Sequence, residues 1–181
     1  LAGVYQKENA VLALNALEEL DRLGWTTTME QRKDGLLHTS WKGRFTVIHK
    51  KPLFIVDGAH NAGAADKMAE SVRHYFNGKK LIYIMGVFAD KEYKIVLEKT
   101  AHFAEKIYTI ETPDNPRALP AEELAKAARV YNSSAESTKS IKDAVEKAFS
   151  CAGDDENSVI LAFGSLSFIG ALTNAVEEYV G

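Results

Sequence analysis

The chain has 181 residues, 46% apolar and 26% charged, the proportions of a globular protein rather than a disordered or fibrous one. Lysine and arginine number 22 against 25 aspartate and glutamate, and the net charge of −3 argues against an extended nucleic-acid footprint. No apolar run approaches the roughly 20 residues a membrane helix requires, and a single cysteine, Cys151, fits a reducing, cytoplasmic compartment.

The start, Leu1 to Lys7, has neither a methionine nor the basic and apolar regions of a signal peptide, so Leu1 reads as a cut point inside a longer protein. Ala10, Ala13, Leu14, Leu17 and Leu20 recur at helical spacing, with Glu8, Asn15, Glu19 and Arg22 on the opposite face and Gly24 as the stop. A second short helix is expected after Thr27 or Thr28, ending near Gly35. One helix and a half cannot bury their own apolar stripe. Residues 1–41 therefore read as the helical tail of an upstream domain, and 42–181 as a domain of their own.

From Trp41 the pattern changes. Arg44–His49 and Pro52–Val56 are β-type runs joined through Lys50-Lys51, which predicts a hairpin. Leu81–Met85, Lys106–Ile110, a weak segment near Arg129–Tyr131, and Ser158–Phe163 read as further strands. Helical stripes lie between and after them: Ala65, Met68, Ala69, Val72 and Phe76; then Ile141, Ala144, Val145, Ala148 and Phe149; then Leu172, Ala175, Val176 and Tyr179. Ser140 with Asp143 gives a capping box, and Pro120 with Glu122 and Glu123 marks another helix start. The polar run 132–138 reads as a loop. Alternation of this kind predicts an α/β fold, a doubly wound, mostly parallel sheet covered on both faces, with the opening hairpin adding an antiparallel edge strand.

In such a sheet ligands bind beyond the carboxyl ends of the strands, and the polar punctuation falls there. Asp57-Gly58-Ala59-His60-Asn61, Gly86 to Lys91, Glu111 to Arg117 and Gly164 to Ser167 each follow an apolar strand, so four loops are expected on one rim. Asp57 suits the two donor hydroxyls of a ribose. His60 and Asn61 stand near the first turn of the next helix, where free N–H groups favour a phosphate. Asp57 as a plain helix cap, with Asn61 closing a turn, is the competing explanation, and spacing does not separate the two. Ser165 could hold a carboxylate while Ser167 caps the last helix, and Lys91 is either solvated or faces an anion. Trp25, Trp41 and the seven tyrosines read as core or half-buried packing. His74 and His102 read as surface residues, and the five histidines show no metal spacing. Neither a Gly-x-Gly-x-x-Gly turn nor a Gly-x-x-x-x-Gly-Lys-Ser/Thr phosphate loop occurs.

Four segments together resemble the C-terminal part of the folylpolyglutamate synthase/dihydrofolate synthase family, of the Mur ligase superfamily. Leu1 to Ala10 is similar to that family's L-x-G-x-H-Q-x-x-N-A, Trp41 to Phe45 to W-P-G-R-F, Asp57 to Asn61 to D-G-A-H-N, and Gly164-Ser165-Leu166 to the start of G-S-L-Y. Tyr5, Lys42, Ala62 and Ser167 depart from the family pattern. The resemblance implies a Rossmann-like domain and an ATP-dependent ligase that joins L-glutamate to a folate, dihydropteroate or a tetrahydrofolate polyglutamate, through an acyl phosphate. It implies that Asn9, with Gln6 nearby, approaches the adenine; that Arg44 and His60 reach the ATP phosphates, with Asn61 beside them; and that Asp57 holds the ribose. It further implies that Ser165 and Lys91 serve glutamate, and that the ATPase domain, with its phosphate loop and most Mg2+ ligands, lies upstream of Leu1. Arg117 matches a family pattern without an assigned role. Three other functions compete: a receiver-like domain with Asp57 as phosphoacceptor, which lacks the acidic pair for magnesium; a cell-wall precursor ligase of the same superfamily; and a plain nucleotide-binding module.

Overall fold

Two helices come first in the computed structural model, which describes residues 3–181. Leu1 and Ala2, and with them the expected cut point, lie outside the described residues. Helix α1 (Gln6–Arg22) follows the expected stripe, and α2 (Met29–His38) starts at the Thr28 cap. There the Thr28 hydroxyl accepts from the Gln31 N–H while the Gln31 side chain accepts from Thr28 N–H, so two of the free amide donors of the helix start are satisfied reciprocally. The helix continues a turn past Gly35. Asp21 ties the pair together by accepting from the Thr27 N–H and from Arg32. Neither helix has a buried residue. Hence Trp25 and Trp41 are 75% and 65% exposed, against the expectation of packing, because no sheet lies beneath them.

Strands β1 (Thr46–Lys50) and β2 (Leu53–Val56) form the expected antiparallel hairpin. Arg44 stays outside it, in the connecting turn. Strands β3 (Lys80–Met85), β4 (Lys106–Thr109), β5 (Ala135–Ser137) and β6 (Ser158–Phe163) run parallel to β2, in the order β1-β2-β6-β3-β4-β5. Side chains alternate between two apolar layers. Ile55, Tyr83, Leu161 and Phe163 face one layer with α3 (Ala62–Tyr75), α4 (Tyr93–Thr100) and α5 (Ala121–Arg129). Phe54, Ile82, Ile84 and Ile160 face the other with α6 (Ile141–Ala152) and α7 (Ile169–Val180). The chain moves outward from β2 through β5 and then returns to lay β6 between β2 and β3. The helix after β6 therefore lies on the face opposite to those after β2 and β3, and the loops leaving β6 and its neighbours part to opposite faces, opening a crevice at their carboxyl ends.

One strand was misplaced by the sequence. Arg129–Tyr131 closes α5, with Val130 and Tyr131 exposed, and the strand lies within the polar run 132–138. β5 is an edge strand held by its backbone pairing to β4, so its side chains need no apolar character. The Asn132 amide, donating to the carbonyls of Ala101 and Ala104, fixes the turn before it. Ser140 caps α6 as expected, although Asp143 accepts from the Lys139 N–H rather than from Ser140 itself.

Candidate functional site

The four loops do meet. His60 after β2, Phe88 and Lys91 after β3, Arg117 after β4 and Gly164 to Ser167 after β6 line one open cleft of about 290 Å³. Gly164 makes the closest approach possible. Its φ is +117°, and a Cβ there would collide with the Gly86 carbonyl oxygen, so the β6 and β3 loops touch only because a hydrogen occupies that position. On the other side Leu166 rests against Gly58 and Gly43, where a Cβ would come within 2.6 and 2.8 Å of its side chain.

Cationic groups face this cleft. Arg117 stacks over the Phe88 ring, 4.8 Å from Cζ to centroid, and both of its nitrogens on one side donate to Asp90, at 3.2 and 2.5 Å. The Arg117 hydrogen bond holds the Asp90 carboxyl below the usual range. Among the described residues the Lys91 ammonium has no ion-pair partner, and neither has the Arg44 guanidinium near Asp57. His60 Nδ1 lies 2.8 Å from the Gly58 carbonyl, an acceptor only, so Nδ1 carries the proton and Nε2 is the nitrogen left for a ligand.

Asp57 is 3% exposed and lies behind the cleft. Its Oδ1 accepts from the Ala59 N–H at 2.8 Å; its Oδ2 accepts from the Phe45 N–H at 2.9 Å and the Tyr5 hydroxyl at 3.0 Å. Burial raises its pKa, and those three donors together with the Arg44 charge oppose the rise. Asp57 is therefore not the cap of α3. Asn61 is, through Oδ1 and the Ala64 N–H at 2.9 Å. Glu92 also accepts from Ala62 N–H at 3.3 Å. Two of the helix-start donors expected to meet a phosphate thus already have acceptors, and a carboxylate stands where an anion was expected. Ser165, not Ser167, is the capping residue after β6: it accepts from the Ser167 N–H at 3.2 Å and shares a 2.7 Å contact with the Ser167 hydroxyl. Gln6 and Asn9 are hydrogen-bonded to each other on α1 and line a separate hollow of about 340 Å³ with Ala10, Ala13, Leu36 and Thr39. No three His, Cys, Asp or Glu side chains stand together as a metal site among the described residues.

The sequence model of the family described as "Mur ligase, glutamate ligase domain" matches residues 43–166, more than half of the chain. The chain belongs to that family. The chain is 28% identical, over 178 residues, to dihydrofolate synthase/folylpolyglutamate synthase of Bacillus subtilis, covering 98% of this chain and 40% of that protein. Folylpolyglutamate synthase of Lacticaseibacillus casei is 28% identical over 121 residues, 66% of this chain and 28% of that one. In structure, the Mycobacterium tuberculosis folylpolyglutamate synthase complexed with ADP and AMPPCP superposes with a TM-score of 0.82 at 25% identity, over 99% of this chain and 40% of the other. The chain thus spans less than half the length of these relatives.

The family match begins at Gly43, which is itself buried. The fold brings His60, Lys91 and Ser165 to one cleft, buries Asp57 with Arg44 near it, and leaves Gln6 and Asn9 on α1. Two participants escaped the sequence reading: Phe88, the platform under Arg117, and Tyr5, the third donor to Asp57. An aromatic residue in a strand-end loop was the available signal for Phe88. Tyr5 lies 52 positions from its partner, and nothing local marks that pairing.

Proposed function

We propose that this chain supplies the glutamate-handling part, and some of the nucleotide contacts, of an ATP-dependent ligase that adds L-glutamate to a folate. The observation that carries the reading is the convergence of four strand-end loops on one cleft that presents Lys91, Arg117 and His60. Its membership of the glutamate ligase domain family and the synthase activities for which its relatives are named support it. The cations fit anionic reactants. Arg44 and His60 are proposed to face ATP phosphates, Asp57 the ribose, Gln6 and Asn9 the adenine, and Lys91 and Ser165 the glutamate carboxylate. Asn61 serves that rim by fixing the start of α3.

In the proposed reaction a folate carboxylate takes a phosphoryl group from ATP, and the glutamate amine then displaces phosphate to leave an amide. What these residues do is hold the reactants together and offset anionic charge, which is the main source of rate in such transfers. Helices α1 and α2, with no buried side chain, are proposed to belong with a preceding ATPase domain that covers them, residues 1–41 being assigned to that domain and 42–181 to the glutamate ligase domain.

The test is phosphate release by the intact protein, dependent on ATP, L-glutamate and dihydropteroate or a tetrahydrofolate. Lys91→Ala is expected to raise KM for glutamate about tenfold or more while altering ATP affinity little. The 181-residue chain alone is expected to release none. Turnover by that chain alone contradicts the proposal that it supplies only part of the ligase, and glutamate-independent release contradicts the ligase reading.

A further inference from the structure

Three donors converge on Asp57, and one of them is out of keeping with a ribose site. A carboxylate offers about four lone-pair positions. Two are filled by backbone N–H groups, from Ala59 and from Phe45, whose positions the loop geometry sets. Phe45 has a φ of 49°, a conformation an L-residue rarely adopts, and its ring is buried beside Phe76. The third is the hydroxyl of Tyr5, 3.0 Å from Oδ2. Tyr5 is the residue on which α1 opens, one position before Gln6 and four before Asn9. Burial, reinforced by the Asp57 charge, pushes its hydroxyl above the ordinary tyrosine range, so it keeps its proton and donates. The start of α1 is further held by the Val4 N–H to Ser71 hydroxyl bond at 3.3 Å and the Lys67–Glu8 ion pair at 2.9 Å.

We propose that Tyr5 is a positioning residue for nucleotide recognition: its hydroxyl occupies one acceptor position of Asp57, leaving a single position for a ribose hydroxyl, and ties to Asp57 the start of α1, the helix that carries Gln6 and Asn9. This rests on the reading of Asp57 as the ribose ligand. Of two vicinal ribose hydroxyls, one is then read by Asp57 and the other is not. Removing the Tyr5 hydroxyl frees Oδ2 for the second.

The experiment compares the intact protein with its Tyr5→Phe variant. Calorimetric affinities are taken for ATP, 2′-deoxy-ATP and 3′-deoxy-ATP, and the Asp57 carboxyl is followed by carbon-detected NMR across pH. The unaltered protein is expected to lose about tenfold for one deoxy analogue and little for the other. In Tyr5→Phe both analogues are expected to lose about tenfold relative to ATP. The Asp57 carboxyl is expected to titrate higher, since a donor to its charged form is gone. Amide exchange over residues 6–10 reports whether α1 remains seated. Equal weakening of all three nucleotides, with hydroxyl discrimination unchanged, overturns the proposal alone. An unaltered protein that binds none of the three overturns the ribose reading, and the proposal with it.

Discussion

Asp57 joins three segments that are distant in sequence: the α1 start, the connecting turn at Phe45 and its own loop. Asp57→Ala strands two backbone donors in a buried place, and is expected to cost about 3 kcal/mol in denaturant unfolding. An unfolding midpoint within error of the unaltered protein contradicts that role. A lone acidic residue at the end of an apolar strand was readable as unusual, and the parallel strand pattern placed it on the correct rim. What the sequence could not convey is how many acceptor positions remain, because two partners are backbone N–H groups, one of them in a turn with a positive φ at Phe45, and the third is a tyrosine hydroxyl 52 positions away. The same holds for Asn61 and Ser165: their residue types announce a cap or a ligand equally well, and only the neighbouring N–H groups decide.

Among the elements, the three helical stripes of α3, α6 and α7 and the strands β3 and β6 were readable because each buries a regular apolar set. β5 was not, because an edge strand of three residues is specified by a partner's backbone. Glu136 in β5 bonds Lys106 of β4 at 2.6 Å and Lys147 of α6 at 3.1 Å, and the Lys106 bond first of all depresses its pKa below 4.5. A depressed carboxylate contributes stability above its unfolded pKa and loses it as pH falls through the folded value. Glu136→Gln is therefore expected to flatten the acid limb of a stability–pH curve below about 4.5, by no more than about 1 kcal/mol because the pair is partly exposed. Gly164→Ala tests the contact between the β6 and β3 loops. Collision with the Gly86 carbonyl, added to a φ of +117°, is expected to cost about 3 kcal/mol or more and to displace the rim, measured by thermal unfolding and by loss of glutamate-dependent turnover. The Thr28→Ala change, by contrast, removes one reciprocal cap on a solvent-facing helix, and about 1 kcal/mol of helix stability is expected to go with it.

At the scale of the whole molecule, two layers of apolar side chains hold the sheet so that its carboxyl ends form one edge, while α1 and α2 stand beside it with their larger apolar residues in solvent. The opposite edge offers a useful control. A hollow of about 370 Å³ there, between Lys50 to Leu53 and Gly153 to Glu156, carries both charge signs and belongs to none of the four loops. Amide chemical shifts of the intact protein, recorded while L-glutamate and a non-hydrolysable ATP analogue are added, address the shared-rim claim directly. The expected changes fall on residues 57–61, 86–91, 114–117 and 164–167 together. Changes centred on 50–53 and 153–156, with those four loops silent, would contradict it.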